Sequence, residues 1–243
     1  MQEVLLEDMG LIDYQAAWDY QEELLQKNIL AKAAARAVEA GSPGGVDLLV
    51  PETVNHLLLL EHPPVYTLGK SGHEENILIS QDKMQQQGIQ YFRTNRGGDI
   101  TFHGPGQLVG YPVLDLEKFY TDIGRYLRNL EEVIIRTLAV WGLRGDRSPG
   151  ETGVWLDPQV KGKERKICAM GVRCSRWITM HGFAFNVNTD LSYFDNIIPC
   201  GIQNKQVTSL QKELGGQPVS MDRVKEEIKK AFEEVFSARL QVA

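Results

Sequence analysis

A chain of 243 residues, 42% hydrophobic and 24% charged, has the makeup of a folded protein within the reach of one domain, 1–243, which excludes a disordered or fibrous chain. A formal charge of −6 excludes general attraction to nucleic acid or anionic lipid, because that attraction needs an excess of Lys and Arg. No nucleic-acid or membrane partner is expected: Glu3, Glu7 and Asp8 stand where an export signal needs positive charge, and apolar runs such as residues 57–60 fall far short of the roughly 20 residues that span a bilayer.

Tyr14, Ala17, Trp18, Gln21, Leu25 and Ile29 recur at helical spacing behind an Asp13 cap, in a helix that fades through an Ala-rich stretch before a loop at residues 41–45. Residues 55–61, almost wholly apolar and closed by Pro63 and Pro64, suit a strand buried on both faces of a sheet, followed by a second strand over residues 65–68. A short helix over residues 80–87, closed by Gly88, precedes a strand over residues 89–94. Residues 122–141 place Ile123, Leu127, Leu130, Ile134, Leu138 and Trp141 on one helical face, with Gly142 as the stop. Strands are expected over residues 153–156, 166–173 and 178–187, and a last helix from a Ser220 cap through Val235. This alternation calls for an α+β fold, a mixed sheet with packed helices.

The least ordinary segment is Arg96-Gly97-Gly98-Asp99-Ile100-Thr101-Phe102-His103-Gly104-Pro105-Gly106-Gln107. Strand alternation puts Asp99, Thr101 and His103 on one side and Ile100 and Phe102 on the other. The flanking glycines suit either a ligand approaching the backbone or tight turns at positive φ. The segment lacks the Gly-Lys-Ser/Thr ending of a phosphate loop, so nucleotide chemistry has no direct support. No metal is expected either, since Cys168, Cys174 and His181 have no further pair to complete a tetrahedral set.

Three cysteines, an odd number, argue for free thiols in a reducing compartment, hence a cytoplasmic location. Cys200, between Pro199 and Gly201, is either a small buried hydrophobe or a presented thiol. A thiol becomes a nucleophile when a nearby cation favours its thiolate, and Lys166 is a candidate for that cation. Lys161, Lys163, Arg165, Lys166, Arg173 and Arg176 form either a docking patch for an acidic partner or a solvated loop.

Taken together, the Arg96-to-Gln107 segment, Lys166-Ile167-Cys168-Ala169-Met170-Gly171, His181-Gly182-Phe183-Ala184-Phe185-Asn186 and Ile198-Pro199-Cys200-Gly201 resemble the lipoyl(octanoyl) transferase family, the octanoyl-[acyl-carrier-protein]:protein N-octanoyltransferases, in order and approximate spacing. The resemblance implies a fold similar to the catalytic domain of biotin and lipoate protein ligases, with Cys200 as acyl acceptor and Lys166 as its activator. It further implies a substrate pocket lined by Arg96, Gly97, Gly98, Asp99, Ile100, Thr101, Phe102 and His103, by Ala169, Met170 and Gly171, and by Gly182, Phe183 and Ala184. The implied donor is octanoyl-acyl carrier protein. The implied acceptors are lipoyl domains of 2-oxoacid dehydrogenase complexes and the glycine cleavage H protein, and no cofactor is implied. Asp99 stands where many members carry Gln, and the stretch over residues 31–45 is unlike compact members. The rival reading is an ATP-dependent lipoate or biotin ligase on the same fold. A module that binds a lipoyl domain or carrier without reacting is the non-enzymatic alternative.

Overall fold

The computed structural model describes residues 1–41, 51–198 and 206–243. Of the loop expected over residues 41–45, residues 42–45 lie outside the described residues, as does the Pro199-Cys200-Gly201 turn. In chain order the elements are β1 (Gln2–Leu11), α1 (Tyr14–Gly41), β2 (His56–Glu61), β3 (Val65–Leu68), α2 (Gln81–Gln86), β4 (Gln90–Arg93), β5 (Ile100–His103) and β6 (Gln107–Val113). They continue as α3 (Ile123–Ala139), β7 (Gly145–Ser148), β8 (Glu151–Leu156), β9 (Arg165–Ser175), β10 (Ile178–Asn186), β11 (Gln206–Val207), α4 (Leu210–Glu213), α5 (Met221–Phe236) and β12 (Ala238–Val242).

The main sheet is mixed, in the order β12-β1-β2-β6-β10-β9-β8-β7, with β11 pairing parallel with the start of β9. A smaller sheet, β4-β3-β5, stands beside it. This is the α+β architecture expected from the sequence. The run in β2 is apolar throughout because both its faces are covered. Leu57 and Leu59 join a core under α3 and α5, while Leu58 and Leu60 join Leu24, Leu25 and Ile29 of α1 on the other face.

Helix caps fall where the residue types place them. Side-chain oxygens of Ser80, Asp122 and Ser220 accept backbone N–H groups of Lys83, Arg125 and Arg223 at the starts of α2, α3 and α5. The helix expected to fade through the Ala-rich stretch to Gly41 does run to Gly41, as alanine's high helix propensity allows. Its later turns are held by Lys32, whose ammonium donates to Asp115 Oδ1 at 2.8 Å.

Strands β1, β6, β7, β11 and β12 were not among those expected. In β1, Val4 and Leu6 face the core while the apolar Leu5 between them blurs the alternation, and in β6 Gly110 and Pro112 break the usual strand pattern. Gly110 serves there as a gap for the Phe183 ring from β10, which any Cβ would strike. Pro112 lies past the end of the β6–β10 ladder, which stops at the pair Gly110–Phe183.

Candidate active site

Strands β9 and β10 meet in register through Ala169–Ala184 and Gly171–Gly182, and directly opposed residues point to the same face. Ala184 belongs to the α1-side core, so these four small residues make a shallow floor on that side of the sheet. Above it stand β5 and the loop before it. The space between is part of a cavity of about 530 Å³ that also reaches Ile123 and Leu127 of α3 and residues 150–152.

The loop is held close to the floor by glycines and an arginine. A Cβ on Gly171 would lie 2.6 Å from the Gly97 carbonyl oxygen, and the Gly97 N–H donates to the Val172 carbonyl at 2.9 Å. The buried Arg96 guanidinium donates to the carbonyls of Thr67 (2.6 Å), Asp99 (2.8 Å) and Gly97 (2.9 Å), so it is the internal frame of the loop. The Asp99 carboxylate accepts from the N–H of Ile100 (2.7 Å), the N–H of His73 (3.2 Å) and Asn76 Nδ2 (2.6 Å). An acceptor-only side chain meets three donors there, which accounts for an acid at this position.

A hydrogen-bonded chain runs behind the cavity. Gln107 Nε2 donates to the Phe102 carbonyl (3.0 Å) and to Asn186 Oδ1 (2.9 Å), leaving Gln107 Oε1 to accept from His103 Nδ1 at 2.8 Å. His103 Nε2 is therefore the unprotonated nitrogen, facing the Thr67 hydroxyl at 3.4 Å. Asn186 Nδ2 ends the chain on the Thr208 carbonyl at 3.0 Å. His62 is fixed the same way: Nδ1 donates to the Ile12 carbonyl, so Nε2 accepts from the Tyr111 hydroxyl, each at 2.8 Å.

Burial holds all three histidines around the cavity neutral. It lowers His62 to about 4 and His181 to about 3, the latter helped by Arg96 and Arg173, and it takes His103 well below the usual range. His181 faces Val172 across the β9–β10 ladder, six residues or ~20 Å along the strand from Lys166. Tyr111 packs on His181 with ring centroids 6.2 Å apart. Tyr14 joins them through Trp18 and walls the cavity from α1, its phenol pushed by burial up to about 12. The end of the cavity away from Lys166 is thus aromatic, with neutral histidines gathered around the buried Arg96 guanidinium.

Lys166 lines the cavity at the other end, its Nζ 4.6 Å from the centroid of the Trp155 ring. Cys168 is fully buried and Cys174 half-buried, and burial pushes both thiols up, against the pull of Lys166 on the first and Lys32 on the second. Cys200 lies outside the described residues.

Of the residues that the motifs marked, Arg96, Gly97, Gly98, Asp99, Ile100, Thr101, His103, Lys166, Ala169, Met170, Gly171, Gly182, Phe183 and Ala184 all border this one cavity. Phe102 does not. Its ring turns into the small-sheet core and stacks on Tyr193 at 4.5 Å between centroids. The basic run is less available than its composition suggests, since Arg165 is bound by Glu213 and Asp157 and Arg173 by Glu22. Tyr14, Tyr111 and Trp155 were not marked by the sequence as site residues. Among the described residues no group of three or more His, Cys, Asp or Glu could hold a metal ion, and no helix is long and apolar enough to cross a membrane.

Residues 13–233 match the model of the lipoyl protein ligase A/B catalytic domain. The chain belongs to that family. It is 53% identical over 239 residues to an octanoyltransferase of Christiangramia forsetii, covering 98% of each chain, and 54% identical over 237 residues to an octanoyltransferase of Flavobacterium johnsoniae, again covering 98% of each. Such near-full-length identity to octanoyltransferases makes this family member an acyltransferase. Its fold matches that of a bipartite lipoate protein ligase from Thermoplasma acidophilum, with a TM-score of 0.68 at 19% identity over 100% of this chain and 87% of that one. It also matches a lipoate-protein ligase A bound with ATP, with a TM-score of 0.65 at 18% identity over 100% of this chain and 88% of that one.

Proposed function

We propose that this chain moves an octanoyl group from an acyl carrier protein to a lysine of a lipoyl domain, through a thioester on Cys200. The observation that carries the reading is the cavity of about 530 Å³, with Lys166 at one end, a floor of alanines and glycines, and an aromatic wall with neutral histidines at the other. A straight acyl chain needs such a shape. At ~0.8 kcal/mol per buried methylene, six or so contribute roughly 5 kcal/mol toward selecting a medium chain.

Three features support Cys200 as the nucleophile. The other two thiols, Cys168 and Cys174, are held in the protonated form by burial. The described residues on either side of 199–205 are tied to the cavity. Before the segment, the Ile198 N–H donates to the Asn76 carbonyl at 2.8 Å, and Asn76 binds Asp99. After it, Val207 pairs with Lys166 and borders the cavity.

In the reaction, the Cys200 thiolate, favoured by the Lys166 ammonium, attacks the carbonyl carbon of the octanoyl thioester. The carbon–sulfur bond to the carrier's arm breaks, and the released thiolate takes a proton. The acceptor amine then attacks the acyl-enzyme, the bond to Cys200 breaks, and the amine gives up a proton as the amide forms. Thioester exchange is nearly balanced and aminolysis runs downhill, so neither step needs a nucleotide. The acceptors in this reading are lipoyl domains of 2-oxoacid dehydrogenase complexes and the glycine cleavage H protein, and the compartment is the cytoplasm.

The test is transfer from octanoyl carrier to a lipoyl domain without ATP, run beside free octanoate with ATP. Activity in the first mixture alone, lost in Cys200→Ala, is the expected result. Activity that requires ATP and free octanoate would instead assign the chain to the ligases.

A further inference from the structure

Lys166 does not hold its place alone. An uninterrupted antiparallel ladder through the pair Val154–Cys168 would set Trp155 opposite Ile167. The register instead slips between Val154 and Trp155, so that Trp155 pairs with Lys166 and Leu156 with Arg165. The extra residue is on β9, where Ile167 and Cys168 both enter the same core. Such a bulge re-aims side chains, and this one brings the indole to the lysine.

The ring is fixed. Trp155 is 2% exposed, and the Lys166 Nζ lies over its ring, 4.6 Å from the centroid. Gly153, two residues earlier on β8, leaves room for the lysine stem. A Cβ there would lie 2.6 Å from the Cys168 carbonyl oxygen and 3.5 Å from Lys166 Cε, and its φ of +120° suits glycine. The Gly153 N–H is itself held by the buried Glu131 carboxylate at 3.0 Å. Strand β8 thus shapes a seat for the ammonium, with a gap above the stem and an aromatic face under the charge.

We infer that Trp155 is a positioning residue for acyl transfer: its ring face holds the Lys166 ammonium at the cavity wall, where the acyl thioester forms. The inference rests on the proposed role of Lys166 as the cation beside the nucleophile. A cation seated on an indole face gains a factor of about 3 to 30 in occupancy of that position.

The experiment uses the full chain with Trp155→Leu and Trp155→Tyr, each also in the Lys166→Ala background, and reads octanoyl transfer and the pH profile of Cys200 alkylation by iodoacetamide. Trp155→Leu is expected to slow transfer about 3- to 30-fold and to move the alkylation profile to higher pH, while Trp155→Tyr, which keeps a ring face, recovers most of the loss. In the Lys166→Ala background, Trp155→Leu is expected to cost nothing further. An equal loss in both backgrounds, or an unmoved alkylation profile, overturns the inference.

Should Trp155→Leu fail to fold, tryptophans of increasing fluorination placed at 155 keep the shape while draining the ring face. Transfer should fall stepwise along that series, and a flat series overturns the inference. Cys200→Ala separates the two claims. If it still transfers, the proposed function fails; if it is dead while Trp155 and Lys166 act independently, only the present inference fails.

Discussion

Cys168 sits in the core under α3, and neither it nor the half-buried Cys174 has the open setting of a reactive thiol, burial outweighing the nearby Lys166 and Lys32. The combined variant Cys168→Ala, Cys174→Ala should therefore keep at least about half of its transfer rate, measured on lipoyl-domain acylation, at a stability cost of about 1–3 kcal/mol from lost packing. Lys166→Ala should lower the rate by ~10²-fold, within the range for a positioned group acting directly on the reacting centre, and move Cys200 alkylation to higher pH. Tyr14 makes a different prediction. Its ring walls the cavity from α1, so Tyr14→Ala should raise the preference for decanoyl over octanoyl donors, about fourfold for each further methylene buried, read as a ratio of kcat/KM values. Arg96 and Asp99 were legible because they lie in a contiguous run of unusual composition, whereas Gly171, in an ordinary strand, was marked only through the family resemblance. Tyr14, Tyr111 and Trp155 were not legible, because each sits in a helix or strand whose pattern is that of ordinary core, and only tertiary packing brings Tyr14 and Tyr111 to the cavity and Trp155 to Lys166.

At the scale of elements, the loop over residues 96–99 works only if β9 lets it approach. Gly171→Val would drive a side chain into the Gly97 carbonyl, from which even a Cβ would stand 2.6 Å, and lift the loop from the floor. We expect a loss of about 1–3 kcal/mol in unfolding free energy, measured in urea, together with a larger proportional loss of transfer. The elements read best from sequence were those whose periodicity and caps agree, such as α3 behind Asp122 and α5 behind Ser220. Strand β6 was hidden because Gly110 and Pro112 answer to partners distant in sequence, Phe183 and the end of a ladder. The β8–β9 bulge was equally invisible, since pairing register belongs to two strands at once.

Across the whole molecule, the three neutral histidines tie stability to pH. Each has a folded-state value below the ordinary 6.5, reaching about 4 for His62 and about 3 for His181, so the unfolded chain binds protons that the folded one does not. Stability is then flat with respect to these groups above about pH 6.5 and falls as the pH drops toward 4, by on the order of a few kcal/mol. His62→Gln should flatten part of that fall, as measured by urea unfolding at pH 7, 5.5 and 4.5; an unchanged slope would contradict the assignment. The mixed sheet and its flanking helices followed from segment order alone, whereas the placing of β12 beside β1, joining the two ends of the described chain, required the structure.

The most direct test is the intact mass of the protein after exposure to octanoyl-acyl carrier protein without ATP, with the modified peptide then sequenced. The account predicts one octanoyl group, on Cys200, discharged when a lipoyl domain is added and absent from Cys200→Ala. An octanoyl group on any other residue that is passed on to the acceptor, or transfer by Cys200→Ala at the wild-type rate, would contradict it.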